Sequence, residues 1–390
     1  MAEAFRKFRV ARKVRESEVI TSFYLQPVDG AGPWPARPGQ YLTLRVPDGD
    51  RTVLRTYSLS CDVEATDHHR ITVKREGAGA AGQPQGLSSC WLHDQVAEGE
   101  VIEVAPPRGT FVLDEDSQGP VVLLAGGVGV TPLLSMLHRL GQGSRRVWFV
   151  QACENGAVHA LRDEVAAIAA QSDGRIVART VYRAPTEADR TAGAFDAEGL
   201  IDRAFLQALL PLDRYQVYVC GPTPFMVAMY RLLTGLGIRQ DDIFYEFFGK
   251  QVSLPALAAE AARTATRSGS QAPGMLANLV FLTNPEARAQ SVPVGRDRHP
   301  PESPGEGDDV VFARSGKSTV ASGPARSLLE LAEEAGLEPE FSCRQGICNT
   351  CRTGLKEGRV EYLSEPLEMP AEGQVLLCCA RPNGRVVLDL

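Results

Sequence analysis

The chain has 390 residues, 44% of them hydrophobic and 23% charged, with a net charge of −7. That length predicts two to three domains at roughly 150 residues each, and the composition excludes a disordered chain. The acidic balance argues against nucleic acid as the main partner, and the longest apolar stretch, residues 123–137, is too short and too interrupted by glycine and proline to span a bilayer.

The basic N-terminal segment (Arg6, Lys7, Arg9, Arg12, Lys13, Arg15) has no apolar core, so no secretory signal is expected and the chain reads as cytoplasmic, with no membrane partner. In a reducing compartment its nine cysteines read as metal ligands, catalytic groups or small buried residues rather than disulfides. Cys61, Cys90, Cys153 and Cys220 are scattered singly. Cys343, Cys348, Cys351, Cys378 and Cys379 crowd into the last fifty residues.

Taken in chain order, residues 41–46, 52–59, 70–73 and 101–104 are short β-branched or apolar runs between turn residues. They predict an antiparallel barrel or sandwich, interrupted by a helix near 87–96. From Pro120 the rhythm changes. Strands are expected at 121–125, 147–152, 176–182, 215–220 and 243–248, with helices reaching to about 140 and at 157–170, 202–210 and 224–233. That alternation implies right-handed crossovers and a doubly wound parallel sheet. Residues 250–308 read as a linker, helical over 256–267, rich in Pro, Gly and charge towards its end, with an apolar piece at 275–282. The last unit starts with a strand near 310, carries a helix over 325–335 and closes with a strand at 385–390. About eighty residues make a small core, so a metal centre stapling this unit is expected. The boundaries expected are therefore 1–113, 114–249, 250–308 and 309–390.

Cys343, Cys348 and Cys351 form C-x4-C-x2-C, with a fourth cysteine at Cys378 or Cys379. This is the spacing of plant-type [2Fe–2S] clusters, in which two bridged irons need four thiolates. Three thiolates from one tight loop require the backbone to wrap the cluster, and Ser342, Gly346, Asn349 and Thr350 are small enough to expose amide N–H groups to sulfur. A structural zinc site would pair two C-x2-C knuckles, and only one is present. A Rieske centre would need two histidines, and none follows His299.

Two further sites read as nucleotide-binding. Arg55-Thr56-Tyr57-Ser58 on a strand can offer a cation, an aromatic face and a hydroxyl to a flavin. Gly86-Leu87-Ser88-Ser89 before a helix is suited to a pyrophosphate, with Ser89 doubling as N-cap. Gly126-Gly127-Val128-Gly129-Val130-Thr131-Pro132, between strand and helix, is a variant of the dinucleotide-binding turn. Cys220-Gly221-Pro222 ends another parallel strand, where open α/β sheets bind ligands. After residues 147–152 comes Glu154, an acidic rather than basic group for the adenosine ribose, which favours NADH; Arg183 after the next strand keeps NADPH open.

The cysteine segment, with Leu377-Cys378-Cys379-Ala380, resembles plant-type ferredoxins, and that likeness favours Cys378 over Cys379 as fourth ligand. The first 250 residues resemble the ferredoxin–NADP reductase superfamily, in particular the reductase half of flavohemoglobins. Gly39-Gln40-Tyr41-Leu42, Arg55–Ser58, Ser89-Cys90-Trp91-Leu92-His93, Gly126–Gly129, Cys220–Pro222 and Tyr245-Glu246-Phe247-Phe248-Gly249 match in order. No globin domain is present, so heme chemistry is not carried over. The resemblance implies a multidomain fold: an antiparallel β-barrel flavin domain, an α/β doubly wound NAD domain and an α+β β-grasp ferredoxin domain.

The same resemblance implies roles. Tyr57 would lie against the flavin ring, Arg55 against its pyrophosphate, and Ser58 near N5. Tyr41 would touch its outer portion, Phe248 would cover the face that nicotinamide approaches, and Thr56 and Gly86 complete that site. Ser89 on a pyrophosphate favours FAD over FMN. Gly126, Gly127, Gly129, Thr131, Gly221 and Pro222 would hold the nicotinamide nucleotide, with Cys220 near its reactive ring. Tyr57, Ser58, Cys220 and Glu246 are then the residues nearest the chemistry. The implied path runs from NADH through FAD and [2Fe–2S] to an external protein acceptor, with a Rieske-type or heme monooxygenase as the leading expectation. The acidic residues Glu330, Glu333, Glu334, Glu338 and Glu340 offer a docking face. Two alternatives are a direct reductase of oxygen, nitric oxide or a quinone, and a redox-sensing binding protein.

Overall fold

A computed structural model of the chain describes residues 5–77, 85–248, 253–267, 308–321, 326–341 and 343–390. It divides into two compact units: one reaches to Phe248 and takes in most of the helix that follows, to Thr264, and the other ends at Leu390.

The first unit opens with six antiparallel strands: β1 (Arg6–Arg15), β2 (Ile20–Pro27), β3 (Tyr41–Asp48), β4 (Arg51–Ser58), β5 (His69–Lys74) and β6 (Val101–Arg108). Their order is β4-β3-β6-β1-β2-β5, and a bridge between Leu59 and Ile71 joins the two ends. The sheet therefore closes as the barrel the sequence implied. Phe8, Phe23, Leu42, Leu44 and Val104 fill its interior. Helix α1 (Leu87–Asp94) plugs it with fully buried Leu92. Lys13 Nζ donates to Leu92 O, His93 O and Val96 O at 3.2, 2.7 and 2.9 Å, placing a cation on the carbonyl end of α1.

A parallel sheet follows, built of β7 (Val121–Gly126), β8 (Val147–Cys153), β9 (Ile176–Tyr182), β10 (Ala197–Glu198), β11 (Gln216–Cys220) and β12 (Ile243–Glu246), in the order β10-β9-β8-β7-β11-β12. Residues Val121 to Ala125 are wholly buried, which is why they read as one apolar run. Helices α2 (Val130–Gly141) and α3 (Arg162–Ala170) cover one face; a short α4 (Glu187–Ala192) links β9 to β10, and α5 (Arg203–Leu209) and α6 (Thr223–Gly235) cover the other face.

Three expectations need correction. The helix expected over 157–170 is broken: Gly156–Val158 form a 3₁₀ turn, Leu161 takes φ 61°, and α3 starts only at Arg162. The strand expected over 243–248 stops at Glu246, which frees the next residues to leave the sheet. The stretch read as linker begins as a packed helix, α7 (Leu254–Arg267), whose Leu254 and Ala258 join the core of the parallel sheet. Leu254 N also donates to Tyr245 Oη at 3.3 Å. The rest of that stretch, including the apolar piece at 275–282, lies outside the described residues.

The second unit is a mixed five-stranded sheet: β13 (Asp308–Phe312), β14 (Lys317–Ala321), β15 (Arg352–Tyr362), β16 (Gln374–Leu376) and β17 (Ala380–Leu388), in the order β14-β13-β17-β15-β16. β13 and β17 are parallel, the other neighbours antiparallel. Helix α8 (Leu328–Glu334) lays Leu328, Leu329, Leu331 and Ala332 on Phe312, Val386 and Leu388. A capping box fixes its start, with Ser327 accepting from Glu330 N and the Glu330 carboxylate accepting from Ser327 N. This is the β-grasp arrangement. Among the described residues no helix is long and apolar enough to cross a membrane.

Candidate flavin, nucleotide and cluster sites

The flavin motif lies at the end of β4. Tyr57 Oη donates to Ser88 Oγ at 2.8 Å, tying β4 to the first turn of α1, and burial pushes the phenol's pKa up so it stays neutral. Arg55 and Thr56 point outwards, and Arg55 donates to Leu54 O. Tyr41, buried beside Gly109, pairs with Ser58 across β3 and β4. A Cβ on Gly109 would fall 2.9 Å from the Tyr41 ring. The N-cap of α1 is Gly86 rather than Ser89. Ser89 sits one turn later, accepting from Glu76 N at 3.2 Å and donating to Gly86 O at 3.3 Å. Its hydroxyl thus helps to hold the turn. The hydroxyl beside Tyr57 belongs to Ser88, whose part was not legible because its partner lies thirty-one residues away.

The nucleotide motif is a pair of interlocked turns. β7 ends at Gly126, Gly127 takes φ +53°, and a 3₁₀ turn over Gly127–Gly129 feeds α2. Thr131 Oγ1 donates to Val128 O at 3.1 Å, closing the turn, and Pro132 sits in the first turn of α2 where its missing N–H costs nothing. A Cβ on Gly129 would lie 2.2 Å from Cys220 O, and one on Gly221 2.9 Å from Gly126 Cα. Pro222 packs on the same spot, 3.1 Å from where a Gly126 Cβ would stand. Only glycine lets the β7 and β11 turns approach this closely. Gly129→Ala should force them apart at about 1–3 kcal/mol; isothermal titration should show NADH affinity lost while the flavin absorbance is retained.

A hydrogen bond links the flavin strand to the nucleotide strands. Ser58 Oγ donates to Glu246 Oε2 at 3.5 Å, and Glu246 pairs in register with Cys220 on the next strand. Burial raises the Glu246 carboxyl to about 8, only partly offset by the Ser58 hydrogen bond, so at neutral pH it holds its proton. Cys220 is fully buried, and burial together with Glu246 pushes its thiol well above the ordinary range. Phe248, just beyond β12, is 45% exposed, while Phe247 packs inwards. At the carboxyl ends of β8 and β9, Arg183 grips Glu154 with Nε–Oε2 and Nη2–Oε1 distances of 2.5 and 2.6 Å.

In the second unit the cysteine loop turns through left-handed Arg344, Gly346 and Asn349, at φ 53°, 69° and 58°. That path aims Gln345, Ile347 and Cys348 N–H at Cys343 Sγ at 3.3–3.4 Å, and Gly346 N–H at Cys378 Sγ at 3.3 Å. The Cys378 thiol is within hydrogen-bonding reach of both Cys343 and Cys351, and Cys343 of Cys348. Cys379 lies within hydrogen-bonding reach of Cys378 and turns its thiol to Leu376 O at 3.8 Å. Among the described residues no His, Cys, Asp or Glu group is posed around a single ion; the thiols close on one another under a canopy of amide donors. Four sulfurs with N–H groups aimed at them suit a [2Fe–2S] cluster, whose thiolates and sulfides accept such bonds. Ser342 lies outside the described residues. Arg344 stacks 4.1 Å from the Phe341 ring centroid and pairs with Glu333. Glu334 pairs with Arg326 and Glu330 serves the capping box, so three of the five acidic residues have partners within their own unit.

Three family models match: an oxidoreductase FAD-binding domain over residues 8–113, an oxidoreductase NAD-binding domain over 123–231, and a 2Fe-2S iron-sulfur cluster binding domain over 311–383. The flavohem-like FAD/NAD-binding domain of a nitric oxide dioxygenase from Vibrio cholerae O1 biovar El Tor is 34% identical. It covers 62% of this chain and 98% of its own, with a TM-score of 0.56. The chain belongs to the ferredoxin–NADP reductase superfamily. A flavohemoprotein of Bacillus thuringiensis subsp. konkukian (strain 97-27) is 44% identical over 254 residues, 64% of this chain and 62% of that protein. The chain thus spans less than two thirds of the length of the curated relatives it matches. Phthalate dioxygenase reductase, described as a modular structure for electron transfer from pyridine nucleotides to [2Fe-2S], is 26% identical with a TM-score of 0.52. It matches 100% of this chain and 98% of its own. The chain therefore joins FAD-binding and NAD-binding oxidoreductase domains to a [2Fe–2S] domain, as its motifs implied.

Proposed function

We propose that this chain is a reductase that draws electrons from NADH and delivers them, through FAD and a [2Fe–2S] cluster, to an external oxygenase. The observation that carries the reading is the Ser58–Glu246 contact, which brings the flavin strand to the carboxyl ends of the nucleotide-binding strands. When bound, the flavin supplies the conversion of two-electron hydride chemistry to the one-electron chemistry of the cluster. The chain's own part is positioning. Tyr57, held by Ser88, offers its ring at a fixed angle; Arg55 offers an outward cation to phosphate. Gly126, Gly127, Gly129, Gly221 and Pro222 leave room for the nucleotide, with Cys220 and Phe248 beside its path. Ser58 and the protonated Glu246 hold a proton on a buried carboxyl oxygen. Cys343, Cys348, Cys351 and Cys378 are the proposed cluster ligands.

An oxygenase is favoured as acceptor by the end-to-end match to phthalate dioxygenase reductase. Stopped-flow mixing with NADH tests the path: flavin should bleach first and cluster second, within a turnover. A cluster that stays oxidised while NADH is consumed would favour direct reduction of a small oxidant and sink the conduction reading.

Glu154 serves NADH twice over in this reading: its carboxylate suits a ribose hydroxyl, and its grip on Arg183 withholds that cation from a 2′-phosphate. Glu154→Gln should weaken NADH and strengthen NADPH, moving the ratio of their kcat/KM values by about 10- to 100-fold. Unchanged kcat/KM values for both nucleotides would remove Glu154 from the site.

A further inference from the structure

A polar chain runs from the flavin strand to the nucleotide helix through Ser60, Arg70, Glu164 and His138, which lie outside both sequence motifs. Two residues beyond Ser58, Ser60 accepts at Oγ from Arg70 Nε at 3.2 Å, and its carbonyl accepts from the same guanidinium. Ser60 N donates to Arg70 O at 2.9 Å, so this link is fixed through backbone as well as side chain. Arg70 stands on β5, a strand that lies against the Gly127–Gly129 turn. Its other edge crosses to the parallel-sheet domain, where Nη1 and Nη2 donate to Glu164 Oε2 and Oε1 at 2.7 and 2.9 Å. Glu164, in the first turn of α3, is shared: His138 Nε2 lies 2.6 Å from Oε1. His138 belongs to α2, the helix that the glycine turn opens.

The Arg70 side chain is only 6% exposed and that of Glu164 28%. A two-pronged guanidinium–carboxylate contact in such surroundings fixes direction as well as distance. Burial alone would raise the Glu164 carboxyl, but the hydrogen bonds from His138 and Arg70 hold it at about 2, so it is ionised wherever the protein works. Neither α2 nor β5 is joined to the other by sheet pairing. The Arg70–Glu164–His138 link is thus a side-chain tie between the layer that carries the flavin motif and the helix that carries the nucleotide motif.

We propose that Glu164 is a positioning residue for hydride transfer: by binding Arg70 and His138 together it sets the approach of the nicotinamide to the flavin. The inference rests on the proposed NADH–flavin reaction. It assigns Glu164 no contact with either partner, so its loss should leave both bound and misaligned.

The test uses the full chain loaded with flavin, mixed with NADH in a stopped-flow spectrometer. Glu164→Ala should lower the limiting rate of flavin bleaching by about 10- to 100-fold, the size that follows a misplacement near 1 Å. The NADH concentration at half-saturation should hardly move, and the long-wavelength charge-transfer absorbance of the stacked nicotinamide and flavin should weaken. Glu164→Gln keeps an oxygen for Arg70 and should recover most of the rate. Arg70→Lys keeps the cation but loses the two-pronged grip, so it should show the same split as Glu164→Ala even if that variant folds poorly. A wild-type limiting rate and charge-transfer band in Arg70→Lys, or a change in thermal stability alone in Glu164→Ala, would overturn the proposal. Failure of the parent chain to bleach with NADH would instead overturn the proposed function on which it rests.

Discussion

Cys348→Ser should abolish NADH-driven reduction of a protein acceptor such as cytochrome c while ferricyanide reduction by the flavin continues. The second unit has its own core, in Val310, Phe312, Leu329, Leu376 and Leu388. Removing one sulfur from the cysteine loop is therefore expected to act on the second unit's own fold and cluster. Loss of a partner one shell outside a metal ligand costs about 10- to 100-fold in affinity or activity, and loss of a ligand itself should exceed that. The visible absorbance and the electron paramagnetic resonance of the reduced cluster would fall with the cytochrome c rate. Equal loss of both activities would count against separate modules. The same spectra distinguish the doubled cysteine. Cys378→Ala should lose the cluster signal and Cys379→Ala should keep it, because Cys379 aims its thiol at Leu376 O while Gly346 N–H points at Cys378. The reverse pattern would make Cys379 the ligand.

What the sequence made legible has a local cause. The run Val121 to Ala125 is buried on both faces, so it carries no polar alternation. The glycines at 126, 127, 129 and 221 mark places where a Cβ has no room or a backbone turns left-handed, and their spacing is visible without coordinates. The cysteine loop is set by ligand spacing in the same way. What stayed hidden depends on contacts distant in sequence. Tyr57 meets Ser88, and Arg70 meets Glu164, across 31 and 94 residues that no period connects. Ser89 looked like an N-cap because serine prefers that position, yet Gly86 takes it and Ser89 turns back to Glu76. The break before α3 turns on Leu161 adopting φ 61°, a conformation that a leucine seldom signals. The docking of α7 depends on an apolar slot beside Tyr245 that the chain's own composition does not announce.

Glu246→Gln should stabilise the first unit at pH 8.5 and leave it nearly unchanged at pH 5. Glu246 lies almost wholly buried at the end of β12, with Ser58 Oγ at 3.5 Å from its carboxylate, and burial outweighs that hydrogen bond and raises its carboxyl from 4.5 to about 8. The sign follows from proton counting. Between those two values the folded chain holds a proton that the unfolded chain has released, so stability falls as pH rises through that window. The contribution is complete below about 4.5 and gone above about 8, where the folded state must carry a buried carboxylate. A shift of this size corresponds to roughly 4–5 kcal/mol across the window. Glutamine has the same shape and no proton to lose, so its curve should be flat there. The check is the midpoint of thermal flavin release, followed by fluorescence, for both proteins from pH 5 to 9. A gap that widens with pH in favour of the glutamine variant places a neutral acid beside Ser58. A gap independent of pH would mean that the carboxyl is already ionised in the folded chain, and Ser58 would then have no proton-holding partner at the point where the flavin strand meets the nucleotide strands.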